Sequence, residues 1–295
     1  MRVWKATTFL WWEVAAMNKL IRAGIKRLFR IRILYICLAV LFFVGGFDMI
    51  KECLFPEPGR SLPEPDDYLL SGFITMVLPA AVLIGSFLGS EHQFGTLRNK
   101  IATGHDKRSI YGSSFVVCYT AVMIMYVFVW LTTTALGKLL LGGYTKSTKE
   151  LIVLLVISFL GFTMLTALFV LIGLCVQSKS GGCVAALLAA FGILICGVMT
   201  VQLLSVPEYL AAEMIPAQAL SEYEQVPEDP AFVYNPDYVG GSRRKGYEIL
   251  HKLCPVSQML SASEEIDAES AFLQAAESVV LFAAGMLIFK KRDLK

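Results

Sequence analysis

Residues that could carry out catalysis are few in this sequence, and they stand far apart. Outside the long apolar stretches lie all three histidines and a pair of acids: His92, His105, His251, Glu264 and Glu265. A serine nucleophile needs a histidine within hydrogen-bond reach, and a metal ion needs several ligands at one depth. Because no serine–histidine pair and no set of metal ligands is expected to share a membrane depth, the pattern argues against an intramembrane protease.

The sequence also lacks the glycine spacing of a nucleotide-binding loop. The nearest stretch, GGYTKST at 142–148, does not have the GxxxxGK[ST] spacing that places backbone N–H groups around phosphates. Glu277 is the one acid that lies away from the ends of an apolar stretch, whereas carriers driven by protons or sodium use chains of ionisable residues there. We therefore expect neither an enzyme nor an ion-driven carrier, and neither a bound cofactor nor a nucleic-acid partner.

The apolar stretches themselves define the class of protein. Of the 295 residues 56% are hydrophobic and only 17% are charged, and the mean hydropathy is +0.63. A spanning helix needs about 20 apolar residues to cross a hydrocarbon core of about 30 Å. Six stretches meet this need: Arg32–Met49, Tyr68–Gly89, Gly112–Leu136, Leu151–Val176, Gly182–Val206 and Ala271–Phe289. Because they are apolar all round, we predict an all-α integral membrane protein with six transmembrane helices.

The charges between the stretches predict the orientation. The N-terminal arm, the second and fourth connections and the C-terminal tail together hold 17 basic and 4 acidic residues. The first, third and fifth connections hold 9 basic and 19 acidic residues. The positive-inside rule then places both termini in the cytoplasm. The short hairpin Gln177–Gly181 makes the fourth and fifth spans neighbours, and 207–270 is expected to be a small extracellular cap with helical patterning in Pro207–Leu220 and Tyr247–Ser261.

The arm before the first span reads MNKLIRAGIKRLFRIR from Met17. A helix over 17–31 places Ile21, Ile25 and Leu28 on one face, which is typical of a cytoplasmic helix lying on the membrane surface. The residues expected to contact anionic lipid are Lys19, Arg22, Lys26, Arg27 and Arg30. The simpler interpretation, a basic flank that only fixes orientation, does not explain the apolar stripe.

The cytoplasmic connection 90–111 carries the clearest functional pattern. It begins SEHQFGTLRNKIATGHDKR, with a short helix predicted at roughly Phe94–Thr103. A basic loop that obeys the positive-inside rule would explain the lysines and arginines, but not the GTLRN core.

Here the sequence resembles the permease subunits of ABC type-2 transporters, particularly bacterial export permeases of the bacitracin- and lantibiotic-resistance kind. The matching features are Glu91 followed by GTLRN at 95–99, the basic pair KR at 107–108, the MNKLIRAGIKRLF arm, NPxYVxG at 235–241, and the ending FKKRD at 289–293. Together they extend over 17–295, and residues 1–16 depart from the pattern.

The resemblance implies a permease that works as a homo- or heterodimer and binds separate ATPase subunits, which hold ATP and magnesium. In that family the connection after the second span is a coupling helix that docks on the ATPase, and here Glu91 and Arg98 would set its angle and polar contacts. The residues carried over to that role are Glu91, Phe94, Gly95, Thr96, Leu97, Arg98, Asn99, Lys100 and Ile101. The resemblance thus implies export of a hydrophobic or amphipathic substrate by alternating access across the bacterial cytoplasmic membrane. The alternative is a non-transporting accessory or signalling subunit that binds a partner through the same loop.

Two residues inside the spans are candidates for a substrate pathway. Pro79 interrupts the hydrogen bonding of the second span, and Glu277 is costly if it faces lipid. Ordinary helix packing remains the alternative for Pro79, and a structural polar contact or an outward-reaching side chain for Glu277. Cys53 and Cys254 lie outside the spans on one side, where they could pair, although two free thiols are favoured.

Residues 1–16 are expected to be a non-native extension. The codons of Trp12, Glu13 and Val14 can contain GGAGG shortly before the Met17 codon, where a bacterial ribosome-binding sequence would lie. We therefore predict that translation begins at Met17. Mass spectrometry of the native N-terminus tests this, and a peptide beginning at Met1 would contradict it.

Overall fold

The computed structural model describes residues 17–55, 64–211, 231–262 and 268–291. This part of the chain contains six helices that are long and apolar enough to cross a membrane: Arg32–Leu54, Pro65–Gln93, Lys107–Leu140, Thr148–Cys175, Ser180–Ser205 and Glu269–Lys291. Each overlaps one predicted stretch almost throughout, so the prediction of six apolar spanning helices is confirmed. Most of them extend beyond the predicted bounds, because the helix continues into polar flanking residues.

The first half of the chain is helical throughout its described elements. In order these are α1 (17–28), α2 (Arg32–Leu41), a π-helical turn (Phe42–Gly46), α3 (Phe47–Leu54), α4 (Pro65–Gln93), α5 (Thr96–Ala102) and α6 (Lys107–Leu140). The first spanning helix is therefore α2 and α3 joined through a wider π turn.

The second half adds two long helices, a small hairpin and three further helices. These are α7 (Thr148–Cys175), α8 (Lys179–Ser205), β1 (Tyr209–Ala211), β2 (Phe232–Tyr234), α9 (Gly241–Leu253), α10 (Pro255–Ser261) and α11 (Ala268–Lys291). The strands pair antiparallel, with Tyr209 opposite Tyr234 and their rings 5.4 Å apart. The helical prediction for Pro207–Leu220 is therefore wrong at Tyr209–Ala211, because the tyrosine pair and the ladder hold this part extended.

Polar side chains begin three of the long helices. The Asp106 carboxylate accepts from the Arg108 backbone N–H at 3.3 Å, and the Ser147 hydroxyl accepts from the N–H of Glu150 at 3.3 Å. The Ser178 hydroxyl likewise accepts from the backbone at the start of α8. Such bonds satisfy N–H groups that have no partner within the helix. Only 176–178 separate α7 from α8, which makes these spans neighbours in the chain and in space.

Helix α4 is the most enclosed of the six and packs against α2, α6, α7 and α8. A Cβ atom at Gly85 would lie 2.7 Å from the Cα of Cys183 and 3.0 Å from the carbonyl oxygen of Gly182. Close backbone approach of this kind drives helix association in lipid, where burial of apolar side chains contributes little. Pro79 is also buried, and its carbonyl accepts from the Cys37 thiol at 3.6 Å, so it packs against α2.

Helix α10 lies between the spans. Its residues Pro255–Met259 are buried, and Val256 Cγ1 is 2.7 Å from the position of a Cβ at Gly197 in α8. The Met259 methyl group occupies the place that a Cβ at Gly161 of α7 would take. Since Gly161 is at the middle of α7, α10 reaches the centre of the bundle.

The prediction for 207–270 was a small extracellular cap, and it did not foresee that α10 is buried among the spans. The segment PVSQMLS carries no charge, so burying it does not require desolvating an ion. Cys254, just before α10, donates from its thiol to the carbonyl of Ile193 at 3.7 Å. Both Cys53 and Cys254 are free thiols.

Replacing Gly85 with alanine is expected to force α4 and α8 apart, because backbone atoms of α8 cannot yield as a flexible side chain can. We expect the free energy of unfolding to fall by about 1–3 kcal/mol. Unfolding in mixed detergent and SDS measures it. The matched control is Gly192→Ala in α8, where a Cβ meets nothing within 4 Å. Equal stabilities of the two variants would contradict the packing argument.

Candidate functional site

One end of the bundle brings together α1, α5, the start of α6 and the last turn of α11. Lys107 donates from Nζ to the Lys290 carbonyl oxygen at 3.3 Å, and Gln177, between α7 and α8, lines the same cavity as Glu91. We call this the basic end, because α1 and the second and fourth connections, which were predicted to lie in the cytoplasm, are found there.

A sharp turn positions α5 at the basic end. Helix α4 ends at Gln93, and Gly95 follows with φ +63° and ψ 14°, a left-handed conformation that glycine adopts without steric cost. The Thr96 hydroxyl donates to the Glu91 carbonyl oxygen at 3.1 Å. As a result α5 leaves α4 at a fixed angle, within the bounds predicted for the short helix.

The side chains of α5 divide into two faces. Leu97 is 2% exposed and belongs to the core, and Ile101 packs against that core. Phe94, which precedes the turn, is 69% exposed, and Arg98 and Asn99 are exposed as well. We call Phe94, Arg98 and Asn99 the outer face, since these side chains are available to another molecule.

A buried carboxylate connects three elements beneath α5. Glu91 of α4 is 3% exposed, and its Oε1 accepts from Arg27 of α1 at 2.9 Å and from Lys100 of α5 at 2.8 Å. The Arg27 guanidinium also donates to the Phe87 carbonyl oxygen and the Ser90 hydroxyl, both at 2.9 Å. It lies 4.4 Å from the centre of the Phe87 ring, within cation–π range.

This network changes the roles that the sequence predicted for two residues. Lys100 was expected on the docking surface and Arg27 on the membrane surface, but both donate to Glu91 inside the basic end, because a buried carboxylate is stable only when it is paired. Glu91, which was expected to set the angle and polar contacts of the short helix, is their shared acceptor. Leu97 likewise points into the core, so the outer face is smaller than the predicted docking element.

Helix α1 is held against the protein by its apolar side. Leu28 is buried, Leu20 and Ile25 pack against the core, and Gly24 faces Val117 of α6. The stripe that was expected to enter lipid is thus largely covered by the chain itself. The cations on the opposite side remain exposed: Lys19, Arg22, Lys26 and Arg30.

A cavity of about 340 Å³ opens beside the turn between α4 and α5. Its lining includes the polar side chains of Glu91, His92, Gln93, Arg98 and Gln177. The second carboxylate oxygen of Glu91, Oε2, is buried without a hydrogen-bond partner among the described residues. The cavity therefore offers the exposed Arg98 cation, and not the Glu91 carboxylate, to a polar group that enters it.

One serine–histidine pair was missed by sequence reasoning. His251 Nδ1 lies 2.5 Å from Ser257 Oγ, across the corner between α9 and α10, although no such pair was expected at one depth. Burial, and secondarily the charge of Lys252, lower the pKa of His251, which favours a neutral imidazole. Because Ser257 is fully buried, the pair stabilises the corner and does not present a nucleophile to a substrate.

The described residues contain no group of three or more His, Cys, Asp or Glu side chains that could hold a metal ion. The six apolar helices define a multi-pass membrane protein. The chain matches no known family model and no curated protein. Its function must therefore be argued from its own residues.

Replacing Glu91 with glutamine is expected to loosen α1 and α5, because two cations lose their shared counter-charge. Since Arg27 and Lys100 are partly exposed, we expect a loss of about 1–3 kcal/mol in unfolding free energy, less than for a fully buried pair. Limited proteolysis at the basic end should also become faster. The control is Glu248→Gln, which removes the more exposed 3.6 Å pair with Arg244 and should change stability by less than about 0.5 kcal/mol. Similar losses in both variants would contradict a special role for Glu91.

Proposed function

We propose that this chain is the permease subunit of an ATP-driven exporter of the ABC type-2 class. It works as a dimer in the bacterial cytoplasmic membrane and moves a hydrophobic or amphipathic substrate outward by alternating access. A separate ATPase subunit binds ATP and magnesium and supplies the energy. The N-terminal arm, the basic end and both termini face the cytoplasm.

The observation that carries the proposal is the construction of α5. Its outer face is exposed, while Leu97 and the Lys100–Glu91 pair fasten its other side to the bundle. A docking helix must bind a partner and also transfer the partner's movement to the spans. Exposed Phe94 and Arg98 suit the first requirement, and the bonds of Glu91 to two other elements suit the second.

The mixture of groups on the outer face also indicates how a partner would be recognised. An exposed phenyl ring and a guanidinium are the side-chain types enriched at the centres of protein interfaces. The neighbouring cavity adds the amide residues Gln93 and Gln177. An ATPase surface with an apolar recess beside an acidic group would complement these features.

The charge reversal Arg98→Glu and the truncation Phe94→Ala should each weaken ATPase binding at least tenfold, because both residues are exposed and neither supports the core. Co-purification with the tagged chain, followed by ATPase activity of the recovered complex, measures the effect. Both variants should unfold like the wild type.

The matched control is Arg243→Glu, which should leave co-purification unchanged. Arg243 is an exposed arginine of α9, at the end of the spanning helices opposite to the basic end. Recovery of no ATPase with the wild type, or equal recovery with Arg98→Glu, would count against the permease proposal. In that case a non-transporting accessory or signalling subunit is the better interpretation.

A further inference from the structure

A second polar cluster lies in the middle of the bundle, away from the basic end, where α7, α10 and α11 meet. Gln274 of α11 is fully buried, and neither atom of its side-chain amide has a hydrogen-bond partner among the described residues. The hydroxyl of Ser158 in α7 is also fully buried and unpartnered within this part of the chain. One turn after Gln274, both carboxylate oxygens of Glu277 are buried and have no described partner.

These side chains are arranged around Gly161. The amide nitrogen of Gln274 lies 3.8 Å from the position of a Cβ at Gly161, and Ser158 is one turn earlier on α7. The methyl group of Met259 fills that Cβ position. Two spanning helices therefore bring unpartnered polar atoms to one region, which Met259 of α10 covers.

The chemistry of this cluster favours a cation. Its unpartnered atoms comprise four oxygens, two of them from a carboxylate, and a single amide nitrogen. Because native proteins pair nearly all buried polar atoms, such a group indicates a missing ligand rich in hydrogen-bond donors. A buried carboxylate without a counter-charge also strongly favours a positive ligand.

The spread of the oxygens argues against a bare metal ion. Helices α7 and α11 both run toward the basic end, so Ser158 and Glu277 lie on opposite sides of the Gly161–Gln274 contact. Each is about 4.5 Å from that contact along its helix, at 1.5 Å per residue. A metal ion needs its oxygen ligands within about 2.5 Å of one point. Separate N–H groups on one organic cation can reach oxygens that are farther apart.

We propose that Ser158, Gln274 and Glu277 form a binding site for an organic cation with several N–H donors, of the alkylguanidinium class. Glu277 supplies the counter-charge, and the Gln274 amide oxygen and the Ser158 hydroxyl accept hydrogen bonds. The flexible Met259 side chain closes the site from α10 and moves aside when the cation enters. Binding at this site does not depend on an ATPase partner.

Calorimetric titration of the purified full-length protein in lipid nanodiscs tests the site with three probes of equal chain length. Hexylguanidinium supplies charge and N–H donors, hexyltrimethylammonium supplies charge alone, and 1-hexanol is neutral. We expect hexylguanidinium to bind the wild type at least tenfold more tightly than either of the others. Glu277→Gln and Ser158→Ala should weaken its binding, the former at least tenfold.

The matched control is Glu269→Gln, in which the same change is made on the same helix, at an exposed carboxylate that pairs with Lys252. It should bind hexylguanidinium as the wild type does. The proposal is overturned if the wild type does not bind hexylguanidinium or if the three probes bind with equal affinity. It is also overturned if the Glu277→Gln variant unfolds like the wild type and binds hexylguanidinium with unchanged affinity. If Glu277→Gln does not fold, Ser158→Ala decides in the same way. Since the titration contains no ATPase, its failure is separate from failure of the proposed transport function.

Discussion

The carboxylate of Glu91 is the contact on which the basic end depends. It is nearly inaccessible to solvent, yet it accepts hydrogen bonds from a cation of α1 and a cation of α5. A helix of seven residues is too short to be stable alone, so α5 takes its position from this pair and from Leu97. Movement of the outer face would therefore displace Glu91, and with it the end of α4.

Helix α4 connects the basic end to the other spanning helices. It is the most enclosed of the spanning helices, and in its second half Gly85 allows it to approach the backbone of α8. Helix α8 in turn contacts Val256 of α10 through Gly197. The basic end and the central cation site are thus linked by one continuous series of packed elements, in which glycines set the spacing.

The sequence predicted the spanning helices well because lipid leaves the backbone few alternatives. Long apolar stretches must satisfy their own backbone hydrogen bonds, and length alone then identifies them. The sequence did not predict the side-chain network around Glu91. Arg27 and Glu91 are 64 residues apart, so no local pattern predicts their pairing. Of the residues predicted to dock a partner, Phe94, Arg98 and Asn99 are exposed and Glu91 and Leu97 are buried, a division that the spacing did not reveal.

The short helix α10 could not be predicted from the sequence, and its position bears on biosynthesis. Its seven residues, PVSQMLS, are too few and too varied in polarity to be recognised as a membrane-embedded segment. Its surroundings include α7, α8 and the Gln274 region of α11. Helices α7 and α8, which form most of its surroundings, precede α10 in the chain. The position that α10 occupies is therefore largely formed when the ribosome has synthesised it, and the Gln274 region of α11 is the part that is added last.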